Sequence, residues 1–308
     1  MCYESKKKML FGSTEASEAW GLATHFGFLF ALFCQQEWTF LNSKPLQIYM
    51  KGIAGKGVFI SGGCGDIGRA VATRFIEAGA RVVLGDLLPQ RAGRVVAKLL
   101  SATAANYVRC DVTSAASVTR ALQQAVEFLD QIDVAISNAG TVTNEPFLNV
   151  SARGWHRTLD VNLTGSFLVA QAAARLMIKN PRRGRARRGV ILFTGSWVQE
   201  MPWPHGASYC ASKGGQLMLM KIIAQELAPH GITANIVAPG MVYGGLTKVI
   251  YDRDGRFAKL VDKTVPLLRM CSPEEVAGSF LYLASDDAAY ITGTSVVIDG
   301  GATLVRRE

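Results

Sequence analysis

From residue 57 onward, short runs that are apolar at nearly every position alternate with segments whose apolar residues recur every three or four positions. The first run, "GVFISG", is followed by "GRAVATRFIEAGA", in which Val71, Phe75 and Ile76 have helical spacing and Gly79 supplies a stop. The strands "RVVLGD", "NYVRCDV", "DVAISNAG", "GVILFTGS", "TANIVAPG" and "SVVIDGG" then alternate with helices predicted over 89–101, 114–129, 155–179 and 209–228. A strand with one wet face would alternate apolar and polar residues. Strands apolar throughout are covered on both faces, which requires a parallel sheet with helices on either side. The chain is therefore expected to form an α/β fold with a doubly wound parallel sheet, and to bind ligands at the carboxyl ends of its strands.

Composition fits one large core. The 308 residues are 49% hydrophobic and 19% charged, and sheets of this kind reach that size without splitting. A formal charge of +9 could suggest a nucleic-acid partner, but Arg182, Arg183, Arg185, Arg187 and Arg188 supply five of those charges. That run is read as a solvated loop between a helix and the next strand, and no nucleic-acid partner is expected. The six cysteines are scattered without C-x-x-C pairs or histidines at ligand spacing, so we expect reduced thiols, a cytoplasmic setting and no metal. Residues 1–49 read as an N-terminal extension of unknown role, an amphipathic docking segment being the alternative. Their apolar patch, 21–34, carries a His and a Thr and is shorter than the roughly 18–20 apolar residues of a membrane span, so no membrane partner is expected. The domain proper is placed at 50–308.

Two constellations carry chemistry. "SGGCGDIG", Ser61 to Gly68, reads in three registers. From Gly63 it is G-x-G-x-x-G, and from Gly62 it is G-x-x-G-x-x-G. From Ser61 it is [ST]-G-x-x-x-G-x-G with Asp66 in place of the middle glycine. All three serve close approach of backbone to a pyrophosphate at a helix N-terminus. The second constellation is "YCASK", where Tyr209 and Lys213 lie one helical turn apart on one face. A phenol with pKa about 10 is a poor base at neutral pH, and a neighbouring ammonium favours its ionised form. Ser196 precedes Tyr209 by thirteen residues, and Asn162 completes the set.

In order and spacing, "SGGCGDIG", Asp86, "DVT" at 111, "SNAG" at 137, "VNLTG" at 161, Ser196, "YCASK", "APG" at 238, "SPEEVAG" at 272 and "ITGTSVVIDGG" at 291 resemble the short-chain dehydrogenase/reductase family, in its short single-domain branch with a Rossmann-type fold. The resemblance covers about residues 55–303 and selects the third glycine register. An extended relative would need roughly a hundred more residues after Lys213.

The resemblance implies roles. Tyr209 is the general acid/base, and Lys213 lowers its pKa and binds the nicotinamide ribose. Ser196 orients the reacting oxygen, and Asn162 supports a water relay to the lysine. Cofactor contacts are implied for Gly62, Cys64, Gly65, Asp66, Ile67 and Gly68 in the loop, for Asp111 and Val112 at the adenine, and for Asn138, Ala139 and Gly140 beside the ribose. Pro239, Gly240 and Val242 are implied at the nicotinamide amide. Asp86, with Leu87 after it, ends the second strand 18 residues beyond Gly68. A carboxylate there accepts bonds from ribose hydroxyls and repels a 2′-phosphate, so NAD is expected over NADP. Asp66 is a departure that places negative charge near the phosphates unless Arg69 compensates. Gly244 stands where the family often has threonine, with Thr247 nearby.

The substrate is read from "WVQEMPWPHGAS", between Ser196 and Tyr209. Trp197, Gln199, Trp203 and His205 combine flat apolar faces with hydrogen-bonding groups, which suits a sugar or polyol, and Pro202-Trp203-Pro204 resembles bacterial glucose 1-dehydrogenases. The polar stretch 244–269 is expected to be a mobile lid. A 3-oxoacyl thioester reductase is the alternative within the family, and a non-catalytic cofactor-binding regulatory or scaffold protein the alternative outside it. The helices over 165–178 and 216–227 are apolar nearly all round, so a homodimer or homotetramer is expected through them.

Overall fold

The computed structural model describes residues 50–181, 187–253 and 255–304. Seven strands form one parallel sheet: β1 (Gly57–Ser61), β2 (Arg81–Asp86), β3 (Ala105–Arg109), β4 (Val134–Ser137), β5 (Gly189–Thr194), β6 (Ile232–Pro239) and β7 (Ser295–Ile298). Their order is β3-β2-β1-β4-β5-β6-β7. The chain starts at the centre, winds out to β3, and returns past β1 to build the other half. The winding therefore reverses between β1 and β4, and loops leaving those two strands diverge there to leave a crevice.

The helices follow from the same alternation. They are α1 (Asp66–Glu77), α2 (Gln90–Leu100), α3 (Ala115–Leu129), α4 (Ala152–Leu159), α5 (Gly165–Met177), α6 (Ala207–Leu227), α7 (Gly245–Arg253), α8 (Gly255–Thr264) and α9 (Pro273–Ala284). The period-two alternation within each strand divides the core. Phe59, Val83, Ala135, Ile191 and Ile236 face α3, α5 and α6. Val58, Val82, Val134, Val190 and Val237 face α1 and α9. Both faces are buried, as strands without polar alternation require. Rossmann-type architecture matches the sequence expectation. Among the described residues, no helix is long and apolar enough to cross a membrane. The reading of residues 1–49 lies outside the described residues.

Two local features depart from the sequence reading. The single helix expected over 155–179 is two, α4 and α5, joined by a π-helical turn at Asp160–Thr164. One inserted residue hardly disturbs apolar spacing, which is why periodicity missed it, but it turns Asn162 into the interior, where it is fully buried. The stretch 244–269 holds α7 and α8, and the latter buries Val261.

The second departure is in the arginine run. Arg182, Arg183 and Arg185 lie outside the described residues, but Arg187 is not solvated. Its guanidinium donates to the carbonyls of Leu283 (3.1 Å) and Ala284 (3.0 Å) and to that of Ser285, at the end of α9, and to Thr233 Oγ1 (3.2 Å) on β6. Lys56 Nζ donates to the same Ala284 carbonyl at 3.1 Å. Two cations thus satisfy the orphan carbonyls and the negative end of one helix. Burial lowers the pKa of each, the neighbouring charge adding to the effect on Lys56. Replacing Arg187 by methionine strands several carbonyls, and Arg187→Met is expected to cost about 2 kcal/mol in urea unfolding. The exposed Arg91→Ala should cost less than about 0.5 kcal/mol.

Candidate active site

The glycine loop between β1 and α1 is shaped by contacts that exclude side chains. Gly62 has φ +62°, and a Cβ on it would lie 2.7 Å from the Ala139 Cα. A Cβ on Gly68 would lie 2.5 Å from the Gly62 carbonyl oxygen. Asn138, at the end of β4, ties the loop down. Its amide donates to the Gly62 carbonyl (2.9 Å), its backbone N–H donates to Ser61 Oγ (3.1 Å), and its Oδ1 accepts from Thr194 Oγ1 (3.0 Å) on β5. The loop, β4 and β5 are thereby locked together where their ends diverge.

Asp86, at the end of β2, is held from two sides. One carboxylate oxygen accepts the Cys64 N–H (3.0 Å) and the other the Leu87 N–H (2.7 Å). Tyr107 donates to the Asp86 carbonyl at 2.8 Å, and its ring is so close to α2 that a Cβ on Gly93 would lie 2.3 Å from it. Asp111 accepts from the N–H (3.0 Å) and Oγ1 (2.7 Å) of Thr113. Both carboxylates are fixed by backbone amides before any ligand arrives.

A cleft of about 560 Å³ runs from Asp86, Leu87, Asp111 and Val112 past Gly62, Gly65, Asp66 and Ile67 to Asn138, Ala139 and Gly140. It ends at Ser196, Tyr209, Lys213, Pro239, Gly240 and Val242. Most sequence-predicted cofactor residues therefore share one continuous wall. Cys64 and Gly68 do not line it: Cys64 enters through its backbone N–H, and burial with the nearby Asp86 charge pushes its thiol pKa up to about 12. Gly68 packs beneath the loop. Cys110, Thr113, Thr141, Val142, Val161, Thr194 and Gly195 also line the cleft. Sequence reading missed these, although Thr194 sits two residues before Ser196 at a strand end, where such a wall residue would be sought.

The residues fit a dinucleotide: a long cleft, a backbone cradle that a Cβ would fill, and two oriented carboxylates at the far end. Asp66 remains a departure. It lines the cleft in the first turn of α1 and pairs with Arg69. A Cβ on Gly244 would lie 3.3 Å from Asp66 Cβ and Oδ2. The space open at Gly244 is thus taken by the carboxylate side chain, while Thr247 reaches the same wall.

At the other end, Ser196 begins a 3-10 turn after β5, and Tyr209 and Lys213 lie on one face of α6. The Ser196 hydroxyl faces the Tyr209 phenol and favours its ionised form. Lys213, almost wholly buried, donates to the Thr194 carbonyl (2.6 Å) and to Gln216 Oε1 (3.3 Å), with Nζ 5.7 Å from the centroid of the Tyr209 ring. Asn162 donates to the Thr141 carbonyl (2.9 Å) and to Ser212 Oγ (3.0 Å), and accepts the Thr141 N–H (2.8 Å). Ser212 in turn donates to the Tyr209 carbonyl at 2.7 Å. Asn162 is therefore tied to the helix that carries the tyrosine and lysine.

The four side chains read as substrate contacts part company. Trp197 is buried and stacks obliquely on Trp203, with centroids 5.2 Å apart. Gln199 is buried with its amide on Ser295 Oγ at 2.6 Å, across the sheet's far edge and not in the cleft wall. Trp203 is partly buried, and His205 is exposed at φ +63°, its carbonyl accepting the Glu145 N–H at 2.9 Å. Trp197, Val198, Val261, Val265 and Met270 form an apolar cluster on which Trp203, Tyr209, Tyr243 and Tyr251 pack.

The fold defines a dinucleotide-binding α/β protein, and the arrangement of serine, tyrosine and lysine narrows the class further. A family model described as Enoyl-(Acyl carrier protein) reductase matches residues 64–303. The 3-oxoacyl-[acyl-carrier-protein] reductase FabG of Aquifex aeolicus is 34% identical over 253 residues, covering 81% of this chain and 98% of its own length. A 2,5-dichloro-2,5-cyclohexadiene-1,4-diol dehydrogenase of Sphingobium indicum is 35% identical over 250 residues, 81% of this chain and 96% of its own. A crystal structure of a short-chain type dehydrogenase/reductase from Mycobacterium marinum superposes with a TM-score of 0.75 at 36% identity, covering 83% of this chain and 98% of the other. The chain belongs to the short-chain dehydrogenase/reductase family, oxidoreductases that act on CH–OH groups with a nicotinamide cofactor.

Burial works against both ionisable groups at the site. It pushes the Tyr209 phenol up, opposed by the Ser196 hydroxyl, and it pulls the Lys213 ammonium down to about 8 from the 10.5 of a free lysine. Below pH 8 both folded and unfolded chains carry the Lys213 proton, and folding must bury the charge. Above pH 10.5 neither carries it. Between these limits the unfolded chain holds more protons, so stability rises with pH. Relative to Lys213→Met, the wild-type unfolding free energy is expected to increase by about 3 kcal/mol between pH 7 and pH 10.5 in urea titrations.

Proposed function

We propose that this chain is an NAD-dependent oxidoreductase that interconverts a secondary alcohol with a ketone or lactone. The observation that carries the reading is that Ser196, Tyr209 and Lys213 converge at one end of a cleft whose other end holds the oriented Asp86 carboxylate. A nicotinamide dinucleotide bound along that cleft supplies the hydride acceptor. In alcohol oxidation Tyr209 takes the hydroxyl proton as its O–H bond breaks, while the carbon gives up its hydrogen with the electron pair. Ser196 holds the same oxygen, and the Lys213 ammonium stabilises the phenolate. Asn162, through Ser212, fixes the start of α6 so that these groups keep their spacing. Gly62, Gly65 and Ile67 hold the pyrophosphate with backbone.

NAD is favoured because Asp86 accepts from ribose hydroxyls and repels a 2′-phosphate, and because Gly85, Leu87 and Leu88 supply no cation. The same feature weighs against a 3-oxoacyl thioester reductase working with NADP. Of the polar groups behind the sugar or polyol reading, Gln199 is buried and engaged elsewhere. The aromatic and aliphatic packing around Tyr209 favours a second substrate reading: a compact alcohol with an apolar ring face, of the kind a cyclic diol presents.

Two further parts of the reading concern surroundings. Phe167 on α5 and Met218 and Ile222 on α6 are exposed, an apolar face that supports a homodimer or homotetramer. The cysteines 64, 110, 210 and 271 are free thiols, which suits a reducing cytoplasm.

Turnover with NAD should exceed that with NADP at least about tenfold in kcat/KM across a panel of sugars, polyols, cyclic alcohols and 3-hydroxyacyl thioesters, since a buried-charge clash costs more than about 1.4 kcal/mol. Tyr209→Phe should abolish turnover and leave NAD affinity within about threefold. Equal use of the two cofactors would defeat the Asp86 argument, and an active Tyr209→Phe would defeat the acid/base assignment. Light scattering is expected to return a multiple of the chain mass; a monomer would remove the α5/α6 interface.

A further inference from the structure

Tyr107, on β3, is a buried phenol that the chemistry above does not use. Leu87, Leu88 and Pro89 join β2 to α2, and Leu87 lines the cleft beside Asp86. The Tyr107 hydroxyl reaches two carbonyls of this turn, that of Asp86 at 2.8 Å and that of Leu88 at 2.5 Å. A phenol carries a single O–H, so the two carbonyls share it. The donor is a lasting one. Burial pushes the phenol pKa up to about 12, and the oxygen keeps its proton at any pH where the protein works.

The ring is held as firmly as the hydroxyl. A Cβ on Gly93 would lie 2.3 Å from it, so α2 comes this close to β3 because residue 93 has no side chain. Gln90, at the start of α2, donates from Nε2 to the Tyr107 carbonyl at 3.4 Å. The phenol cannot shift sideways without moving α2.

The consequence for Asp86 follows from peptide planarity. The Asp86 carbonyl and the Leu87 N–H belong to one rigid plane. Tyr107 holds the oxygen of that plane, and the N–H on its opposite side donates to one carboxylate oxygen of Asp86 at 2.7 Å. Fixing the carbonyl therefore fixes the amide that orients the carboxylate, while the Cys64 N–H holds the other carboxylate oxygen at 3.0 Å. The Cys110 N–H also donates to the Asp86 carbonyl, at 2.8 Å, so loss of the phenol loosens the turn without releasing it.

We propose that Tyr107 is a positioning residue for cofactor choice: by holding the Asp86–Leu87 peptide plane it orients the Asp86 carboxylate, and so sets the discrimination between a ribose 2′-hydroxyl and a 2′-phosphate. The inference rests on the reading of Asp86 as the ribose acceptor. A carboxylate free to turn about its Cα–Cβ bond makes a poorer acceptor for ribose hydroxyls and can swing away from a phosphate. Both changes narrow the preference, because a preorganised charge is what separates the two ligands.

The test uses two ligands that lack nicotinamide, ADP-ribose and its 2′-phosphate, titrated by calorimetry into wild type and Tyr107→Phe. Phenylalanine keeps the ring against Gly93 and removes only the oxygen. Tyr107→Phe should bind ADP-ribose about fivefold more weakly and the 2′-phosphate no more weakly than wild type does, so the preference falls about fivefold or more. A phenol that merely supported the fold would lower the unfolding midpoint and leave the ratio of the two dissociation constants within about twofold of wild type, and that result overturns the proposal. A crystal structure of Tyr107→Phe with the Asp86 carboxylate still seated on the Cys64 and Leu87 N–H groups overturns it as well. Wild type that binds ADP-ribose no better than its 2′-phosphate defeats the reading of Asp86 and this inference with it. A wild-type preference that survives intact in the variant defeats this inference alone.

Discussion

Asn138 ties three strand ends together at the point where the sheet reverses its winding, and the geometry of the site depends on that tie. Its amide holds the Gly62 carbonyl while its oxygen takes the Thr194 hydroxyl. The Thr194 carbonyl, in turn, is the shortest contact of Lys213. The glycine loop and Lys213 are therefore two ends of one short chain of hydrogen bonds through a half-buried asparagine. A parallel sheet alone does not align loops that diverge from adjacent strands. Side-chain bonds between the strand ends do.

The second constraint is charge burial. Lys213 sits in the interior with carbonyl oxygens for partners and an aromatic ring beside it. Its pKa falls to about 8 under desolvation, and the phenol of Tyr209 rises under the same influence. The sequence argument, in which an ammonium simply makes a neighbouring phenol acidic, is thus half of the physics. Burial favours the neutral pair, whereas proton abstraction needs the charged one, and the balance rests on the Ser196 hydroxyl facing the phenol and on hydrogen bonds from Lys213 to Thr194 and Gln216. On the proposed acid/base reading, folding stability and chemistry draw on the same buried proton.

Charge also organises regions remote from the cleft. Arg187 was expected in solvent because its neighbours in sequence are arginines, yet its guanidinium closes the carboxyl end of α9 together with Lys56. No local pattern announces such a clamp, since the carbonyls it meets are 96 to 101 residues away. Gln199 shows the converse. Its place between Ser196 and Tyr209 suggests a substrate contact, but the loop turns it toward Ser295 on β7. Position along a chain says which loop a side chain belongs to and leaves open which way the loop faces.

The sequence by itself determined the doubly wound sheet, because strands apolar at every position have no stable place except between two layers of helices. It also determined which residues could carry proton transfer, since a tyrosine and a lysine one helical turn apart share a face whatever surrounds them. Tertiary structure alone decided what those residues meet. The π turn that buries Asn162, the carboxylate of Asp66 filling the space beside Gly244, and the amide of Gln216 behind Lys213 all depend on contacts between segments far apart in the chain. Local periodicity records the direction of a side chain relative to its own backbone. Hydrogen-bond partners and burial arise only when separate elements are brought within a few ångströms of each other.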